Sequence, residues 1–211
     1  MKEKIKIENI VEEHTHLNQS IYNCFCLKLK NIQTHSTAMA KGHVFNAKLY
    51  RALLNQNANE VKELCGFSED RAMHITIHND TVLHLAIYSK QVDLALSLLI
   101  NQLPEELYHK MTQANNNGTT ILHEVATLQD ERSVSLARTI LERAPDLLSK
   151  RNNLGESVVC KAATYGKNKI FEALLDKVSD PVNDEARLQP FIQRTDMTTI
   201  LHIAILTHHF G

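Results

Sequence analysis

Three histidines at equivalent places of a repeated phrase are the residues that most directly suggest chemistry. His84, His123 and His202 each follow a threonine by three residues. Imidazole is the commonest metal ligand in proteins, but zinc needs each ligating nitrogen at about 2.0–2.1 Å. Because neighbouring packed helices stand about 8–10 Å apart, histidines of different copies cannot meet at one ion. We therefore expect each imidazole to hydrogen-bond to the turn of its own or the next copy, and we expect no metal and no cofactor.

A second group of potential ligands lies near the start of the chain. It consists of His14, His16, Cys24 and Cys26. Zinc sites generally separate paired cysteines by two to four residues, whereas a single residue separates these two. Coincidence in a chain with 12 histidines is the simpler interpretation. A metal-binding regulatory segment, or lipidation of a cysteine beside Lys28 and Lys30, stays open as an alternative.

Catalysis by a nucleophile or an acid–base pair has little support in the sequence. Cys160 takes the place of the histidine in one copy, on a predicted helix, where a buried thiol is inert. His123 and Glu124 are adjacent on a helix and point in different directions, which makes a poor acid–base pair. Motifs for a phosphate-binding loop, a dinucleotide fold, a nucleophile elbow or a zinc protease are missing from the sequence. We therefore predict a protein that is not an enzyme and has no small-molecule substrate.

The composition excludes several other classes. The 211 residues carry a formal net charge of −1, so no overall basic field attracts nucleic acid or anionic lipid. Four scattered cysteines fit reduced thiols in the cytoplasm better than a secreted disulfide scaffold. The sequence has neither a signal peptide nor a run of about 18 apolar residues that could span a membrane.

The histidines belong to a phrase that recurs along the chain. Copies begin at Thr81, Thr120, Ser157 and Thr199, which are 39, 37 and 42 residues apart, and a degenerate copy begins near residue 47. Apolar residues at i, i+1, i+4 and i+5 indicate one face of a helix. Because a second apolar segment follows the phrase, each copy is expected to form two short helices joined by a tight turn.

The residues that flank the phrase are typical of turns and helix caps. Asn, Asp and Gly precede the copies at 81, 120 and 157, and the Thr or Ser that begins a copy is a predicted helix N-cap. Gly166 is expected at the turn between the two helices, where glycine adopts a positive φ easily. The equivalent positions are Lys90, Gln129 and His208, which would adopt this backbone at some cost in strain.

The second copy differs in length. From the start of the phrase to the second apolar pair is 17 residues in the copies that begin at 47, 81 and 157, but 20 in the copy that begins at Thr120. The extra residues are expected near 130–132, as a charged and solvated turn between the two helices.

A turn, then T-x-L-H-x-A, then a second helix resembles the ankyrin repeat, whose signature is T-P-L-H-x-A with a period of about 33 residues. The resemblance covers residues 47–211 and implies an all-α solenoid of stacked helix–turn–helix units. The chain departs from the signature in two ways. Every copy lacks the proline, and Cys160 replaces one histidine. The proline positions hold Val82, Ile121, Val158 and Ile200.

Further features resemble plant ankyrin proteins that carry a C-terminal PGG-type membrane domain. They are Leu103-Pro104 and Ala144-Pro145 after the second helices, followed by Asn-rich turns, and the late copy at 198–205. The resemblance implies a region at the cytoplasmic face of the plasma membrane, linked to defence and cell-death signalling. The membrane domain itself is not in this chain.

The two ends of the chain differ from the repeats. Residues 1–46 do not show the phrase and are expected to form a flexible leader. The last phrase begins at Thr199, which leaves room for a first helix but not for its partner before Gly211. We therefore expect a last repeat that is incomplete, in a piece of a longer protein.

Binding along a surface is the function that this organisation favours. Solenoids present an extended concave surface, and in ankyrin proteins the turn tips and the exposed side of the first helices form it. Tyrosine is enriched at interface hot spots. The predicted partner-binding residues are Tyr88, Ser89, Leu128, Thr164, Tyr165, Asn79, Asn116 and Asn153. The predicted function is non-catalytic protein–protein interaction; the alternative is an accessory domain of a larger enzyme or channel.

Overall fold

The computed structural model describes residues 37–66, 75–101, 112–178 and 185–207. Within these ranges the chain is all-α. The β-type pairings found there are isolated bridges between Arg151 and Ser157 and between Gln193 and Thr199, each of which closes the turn ahead of a phrase. The all-α class predicted from the helical periodicity is therefore confirmed.

The chain divides into two compact units, residues 1–47 and 48–211. Helix α1 begins at Thr37, within the segment that the sequence predicted as a flexible leader, and ends at Leu54. Residues 1–36, with the His14, His16, Cys24 and Cys26 group, lie outside the described residues.

The second unit is built from pairs of short helices. After α1 come α2 (Ala58–Gly66), α3 (Val82–Tyr88), α4 (Val92–Asn101), α5 (Ile121–Val125), α6 (Glu131–Arg143), α7 (Val158–Thr164), α8 (Asn168–Val178), α9 (Glu185–Ile192) and α10 (Ile200–Thr207), and a 3₁₀ turn spans Pro145–Ser149. Helices α3, α5, α7 and α10 begin one residue after the start of a phrase, as the N-cap prediction requires.

The helices form two packed layers. The first helices pack in series, α3 on α5, α5 on α7 and α7 on α10, while the second helices pack α4 on α6 and α6 on α8. In the copies that begin at Thr81, Thr120 and Ser157 the first helix also packs on the second helix of the same copy. The side chains between the layers include the fully buried Leu83, Leu98, Leu122, Leu136, Ile170 and Leu174. Burying each of these stabilises the fold by about 1.5–3 kcal/mol relative to exposure.

The turn before each phrase has one conserved backbone feature across the copies. Two residues before the phrase start, the chain adopts a positive φ at Asn79 (61°), Gly118 (70°), Gly155 (73°) and Met197 (69°). A Cβ on Gly155 would lie 1.8 Å from Thr195 Oγ1, and one on Gly118 would lie 2.8 Å from the backbone nitrogen of Asn153. Glycine therefore serves at two of these turns both for its backbone conformation and for close packing against the next turn.

The turn between the helices is uniform in three copies and different in one. Gln56, Lys90 and Gly166 adopt φ values of 54°, 59° and 60°, as expected for this position. Gln129 does not, which corrects the prediction for the second copy. Helix α5 ends early, at Val125, and the backbone N–H of Leu128 then donates to the carbonyl of Val125 at 3.0 Å, so the chain turns without a left-handed residue. His208 lies outside the described residues.

The prediction of an extra solvated turn near residues 130–132 is wrong. Asp130 is the N-cap of α6, its carboxylate accepting from the backbone N–H of Ser133 at 2.7 Å, and α6 begins at Glu131. This start lies as far from its phrase as the starts of α4 and α8 do. Ala137 stands where the other copies place a large apolar residue, and it is buried. Because alanine is small, the sequence did not show that α6 keeps the same spacing from its phrase as the other second helices.

Candidate interaction surface on the first helices

The histidine of the first full phrase links two neighbouring copies. His84 Nδ1 lies 2.8 Å from Thr81 Oγ1, the N-cap of its own helix, and Nε2 lies 3.0 Å from the carbonyl oxygen of Thr119 in the next turn. The carbonyl can only accept, so Nε2 carries the proton and Nδ1 accepts. The prediction that the imidazole hydrogen-bonds to the turn of its own or the next copy is confirmed, and His84 makes both hydrogen bonds.

His123 repeats the arrangement with lower solvent access. Its Nδ1 lies 2.9 Å from Thr120 Oγ1 and its Nε2 3.2 Å from the carbonyl of Glu156. Burial lowers the pKa of His123 to about 4, with smaller contributions in the same direction from Lys161 and His84, against a hydrogen bond to Glu156 that raises it. The imidazole is therefore neutral at pH 7, which matches one donor and one acceptor nitrogen.

The third copy makes the same link with different atoms. Cys160 Sγ donates to the carbonyl of Phe191 at 3.4 Å, and the hydroxyl of Ser157 donates to the same oxygen. Ser157 also caps α7 by accepting from the backbone N–H of Cys160 at 3.1 Å. Burial raises the pKa of the Cys160 thiol, so it stays protonated near neutral pH. The prediction of a buried thiol in the histidine position is confirmed.

In the last phrase the histidine keeps only the hydrogen bond to the N-cap of its own helix. His202 Nδ1 lies 2.8 Å from Thr199 Oγ1. The imidazole is exposed, and within the described ranges no acceptor lies within hydrogen-bond distance of its Nε2. The preceding Leu201 is 67% exposed. The residues described also contain no group of three His, Cys, Asp or Glu side chains that could hold a metal ion.

The asparagines at the turn tips hydrogen-bond to one another. Asn79 Nδ2 donates to Asn116 Oδ1 at 2.7 Å, Asn116 Nδ2 to the carbonyl of Ile77 at 3.2 Å, and Asn153 Nδ2 to the carbonyl of Asn116 at 2.9 Å. All three tips predicted to contact a partner are exposed. Their amide groups nevertheless join neighbouring turns, so these side chains stabilise the stack whether or not a partner is present.

Three of the predicted contact residues make contacts within the fold itself. Ser89 is the C-cap of α3, its backbone N–H donating to the carbonyl of Leu85 at 2.9 Å. The Thr164 hydroxyl donates to the carbonyl of Cys160 at 2.9 Å. Leu128 is only 6% exposed, which corrects its assignment to the concave surface. The early end of α5 turns this side chain into the core.

Tyr88 and Tyr165 are the predicted contact residues on the first helices that the structure leaves exposed. Tyr88 ends α3 and is 43% exposed, and Tyr165, just after α7, is 48% exposed. Burial of part of each ring raises the pKa of both phenols, and the carboxylate of Glu124 on α5 raises both further. The three side chains come from three successive copies and interact electrostatically across them.

Glu124 and Lys161 are half-buried residues that the sequence reasoning did not assign to binding. Both occupy the fifth position of their phrase, where the neighbouring copies hold the buried Leu85 and Ile203. Burial raises the pKa of Glu124, Lys161 opposes that rise, and Asp80 adds to it. Lys161 Nζ lies 5.8 Å from the ring centroid of Tyr165. The signal available in the sequence was a charge at a position that is otherwise apolar.

Tyr88, Glu124, Lys161 and Tyr165 together form what we call the tyrosine–glutamate surface. Comparison with known proteins adds no assignment to it: no protein-family model matches the chain, and no curated protein matches it significantly. In the part of the chain that the structure describes, no helix combines the length and apolar character needed to cross a membrane.

Proposed function

We propose that the chain is a non-catalytic, protein-binding solenoid of the ankyrin type, which binds its partner through the tyrosine–glutamate surface. The histidine links, the N-caps and the left-handed residue before each phrase support the repeat assignment, because they recur in register with T-x-L-H-x-A. Helices that pack in series present a continuous surface along the first helices.

The exposure of Tyr88 and Tyr165 on successive first helices is the observation that carries the proposal. Large aromatic residues that are half-exposed in the free protein become buried anchors in protein complexes, since a rigid ring loses little entropy on binding. A half-buried carboxylate, Glu124, lies on the first helix between those of the two tyrosines, and Lys161 lies beside Tyr165 on α7, so the surface also offers charged groups to a partner. The side-chain amides of the asparagine tips hydrogen-bond between neighbouring turns, so these residues chiefly stabilise the stack.

The test is a paired comparison of partner capture. The double variant Tyr88→Ala/Tyr165→Ala is compared with wild type and with Ile100→Ala, a change at an exposed apolar residue on the second-helix layer. Proteins held by wild type and by Ile100→Ala are then purified and titrated by calorimetry. We expect the double variant to lose at least tenfold in affinity while its helical circular dichroism stays unchanged. Equal affinity of the double variant would overturn the proposal.

The wider setting is also a proposal, supported by the resemblance to plant ankyrin proteins with a PGG-type membrane domain. The Ala144-Pro145 feature behind that resemblance forms the 3₁₀ turn that leads from α6 toward the next phrase. In that setting the surface faces the cytoplasm beside the plasma membrane and acts in defence signalling. Sequencing the transcript beyond the codon for Gly211 tests this: hydrophobic helices downstream support it, whereas a catalytic or pore domain favours the accessory-domain alternative.

A further inference from the structure

We propose that two molecules of this chain associate through the exposed side of α10, where Leu201 of each molecule packs against Ile205 of the other. This inference goes beyond the proposed function, because it concerns the last phrase and a second molecule of the same chain rather than the tyrosine–glutamate surface.

The first step is the exposure of α10 compared with an earlier first helix. On α5, Leu122 and Ala126 are both 0% exposed, and α7 packs on this helix. The equivalent residues of α10 are Leu201 and Ile205, which are 67% and 52% exposed. Among the described residues, no further first helix follows α10 in the series. The side of α10 that corresponds to a packing surface in the earlier copy is therefore uncovered.

The second step is the chemistry of this side. The exposed residues of α10 are Leu201, His202, Ile205 and Leu206, and Leu206 is 69% exposed. Residues 197–207 contain no Asp, Glu, Lys or Arg. Two molecules can therefore approach here without repulsion between carboxylates or between basic groups. Since the polar outer face that usually covers the end of a solenoid is missing from this helix, a second molecule with the same apolar side is a suitable occupant.

The third step is the symmetry of the pairing. Leu201 and Ile205 are four residues apart, so they lie on the same side of the helix. In a dimer with twofold symmetry, a contact from one residue to another is repeated in the opposite direction. Two α10 helices that cross antiparallel at the level of Ile203 therefore make the contact between Leu201 and Ile205 twice. The helix is complementary to itself in this orientation.

The fourth step is the strength of the association. Helix α10 has 8 residues and is about 12 Å long, whereas a stable interface buries about 800 Å² on each partner. The contact is therefore smaller than a stable dimer needs. Because interfaces of standard size already range down to micromolar affinity, we expect a dissociation constant on the order of 0.1 mM.

The first experiment is sedimentation velocity of the whole chain, from about tenfold below to about tenfold above this dissociation constant. Wild type is compared with Leu201→Asp and Ile205→Asp. The matched control is Ile100→Asp, because Ile100 is 55% exposed and also lies in the last turn of its helix, α4. We expect wild type and the control to become dimers as concentration rises, and both α10 variants to stay monomeric with unchanged circular dichroism.

Three results of this experiment would overturn the inference. They are a wild type that stays monomeric at every concentration, assemblies that grow beyond the dimer, and an α10 variant that dimerises as well as the control. The first of these would leave the side of α10 to a different protein.

The second experiment tests the antiparallel pairing with opposite charges. Leu201→Asp and Ile205→Lys are each expected to weaken self-association at least tenfold. In a mixture of the two, the new aspartate meets the new lysine once, and the unchanged isoleucine and leucine meet once. We expect the mixture to form dimers at least tenfold more tightly than either variant alone, and a mixture of Leu201→Asp with Ile100→Lys to show no such gain. A mixture that associates no better than its components would exclude this pairing.

Discussion

The phrases that begin at Thr120 and Thr199 both start with Thr-Ile-Leu-His, and they have very different surroundings. In both, a histidine Nδ1 lies within 2.9 Å of the threonine hydroxyl that caps its helix. In the first phrase Leu122 is 0% exposed and His123 reaches the carbonyl of Glu156, whereas Leu201 of the last phrase is 67% exposed. The phrase therefore encodes the helix cap locally, but its burial and its second hydrogen bond come from the following copy.

The largest expected effect comes from truncating the leucine of each phrase. Leu122→Ala removes side-chain atoms from a fully buried site and should lower the free energy of unfolding by about 3–5 kcal/mol. Leu201→Ala alters an exposed side chain and should change it by less than about 0.5 kcal/mol. Urea unfolding followed by circular dichroism measures both. Similar losses in the two variants would mean that the last phrase is also covered in solution.

A smaller effect is expected from pH, through His123. Its pKa is about 4 in the folded protein and about 6.5 when unfolded. Because the unfolded chain binds more protons between these values, stability is lost as the pH falls from about 6.5 toward 4. Between pH 7 and pH 5 this histidine should lower the free energy of unfolding by on the order of 2 kcal/mol.

The control for this pH dependence is the histidine of the last phrase. In His123→Gln the loss between pH 7 and pH 5 should shrink by that amount, while His202→Gln should reproduce the wild-type difference. The measurement is chemical unfolding of all three proteins at both pH values. A wild-type pH dependence in His123→Gln would show that other groups cause the effect.

The smallest effect is expected at the turns that precede the same two phrases. Gly118 and Met197 share a positive φ of about 70°, which costs a residue with a side chain roughly 1–2 kcal/mol. Met197→Gly should therefore raise the free energy of unfolding by about 1 kcal/mol, after the entropy cost of an added glycine. Gly118→Ala should lower it by at least as much, since the new Cβ would crowd Asn153. Thermal unfolding measures both, and a stabilising Gly118→Ala would contradict the packing of this turn.

The parts of the fold that local chemistry determines could be predicted from the sequence. Thr81, Thr120 and Ser157 cap helices, and Gly166 forms its turn, because caps and left-handed residues depend on a few neighbouring atoms. The burial of Leu128 could not be predicted in this way. It follows from the early end of α5, which depends on packing against other copies.

The candidate surface was predictable only in part for the same reason. The types and positions of Tyr88 and Tyr165 indicated binding, and the structure exposes both. The contribution of Glu124 depends on desolvation and on charges from neighbouring copies, at Lys161 and Asp80. Such long-range terms cannot be read from residues that are about 40 positions apart in the sequence.

Because the chain is synthesised from its N-terminus, the hydrogen bonds between histidines and the next turn form in a fixed order. The carbonyl that receives the Nε2 proton lies 35 residues after His84 and 33 after His123. At translation rates of about 5–20 residues per second, each acceptor is made about 2–7 s after its histidine. A nascent copy therefore leaves the ribosome with one imidazole hydrogen bond unmade, and it completes its folding only when the turn of the following copy has emerged.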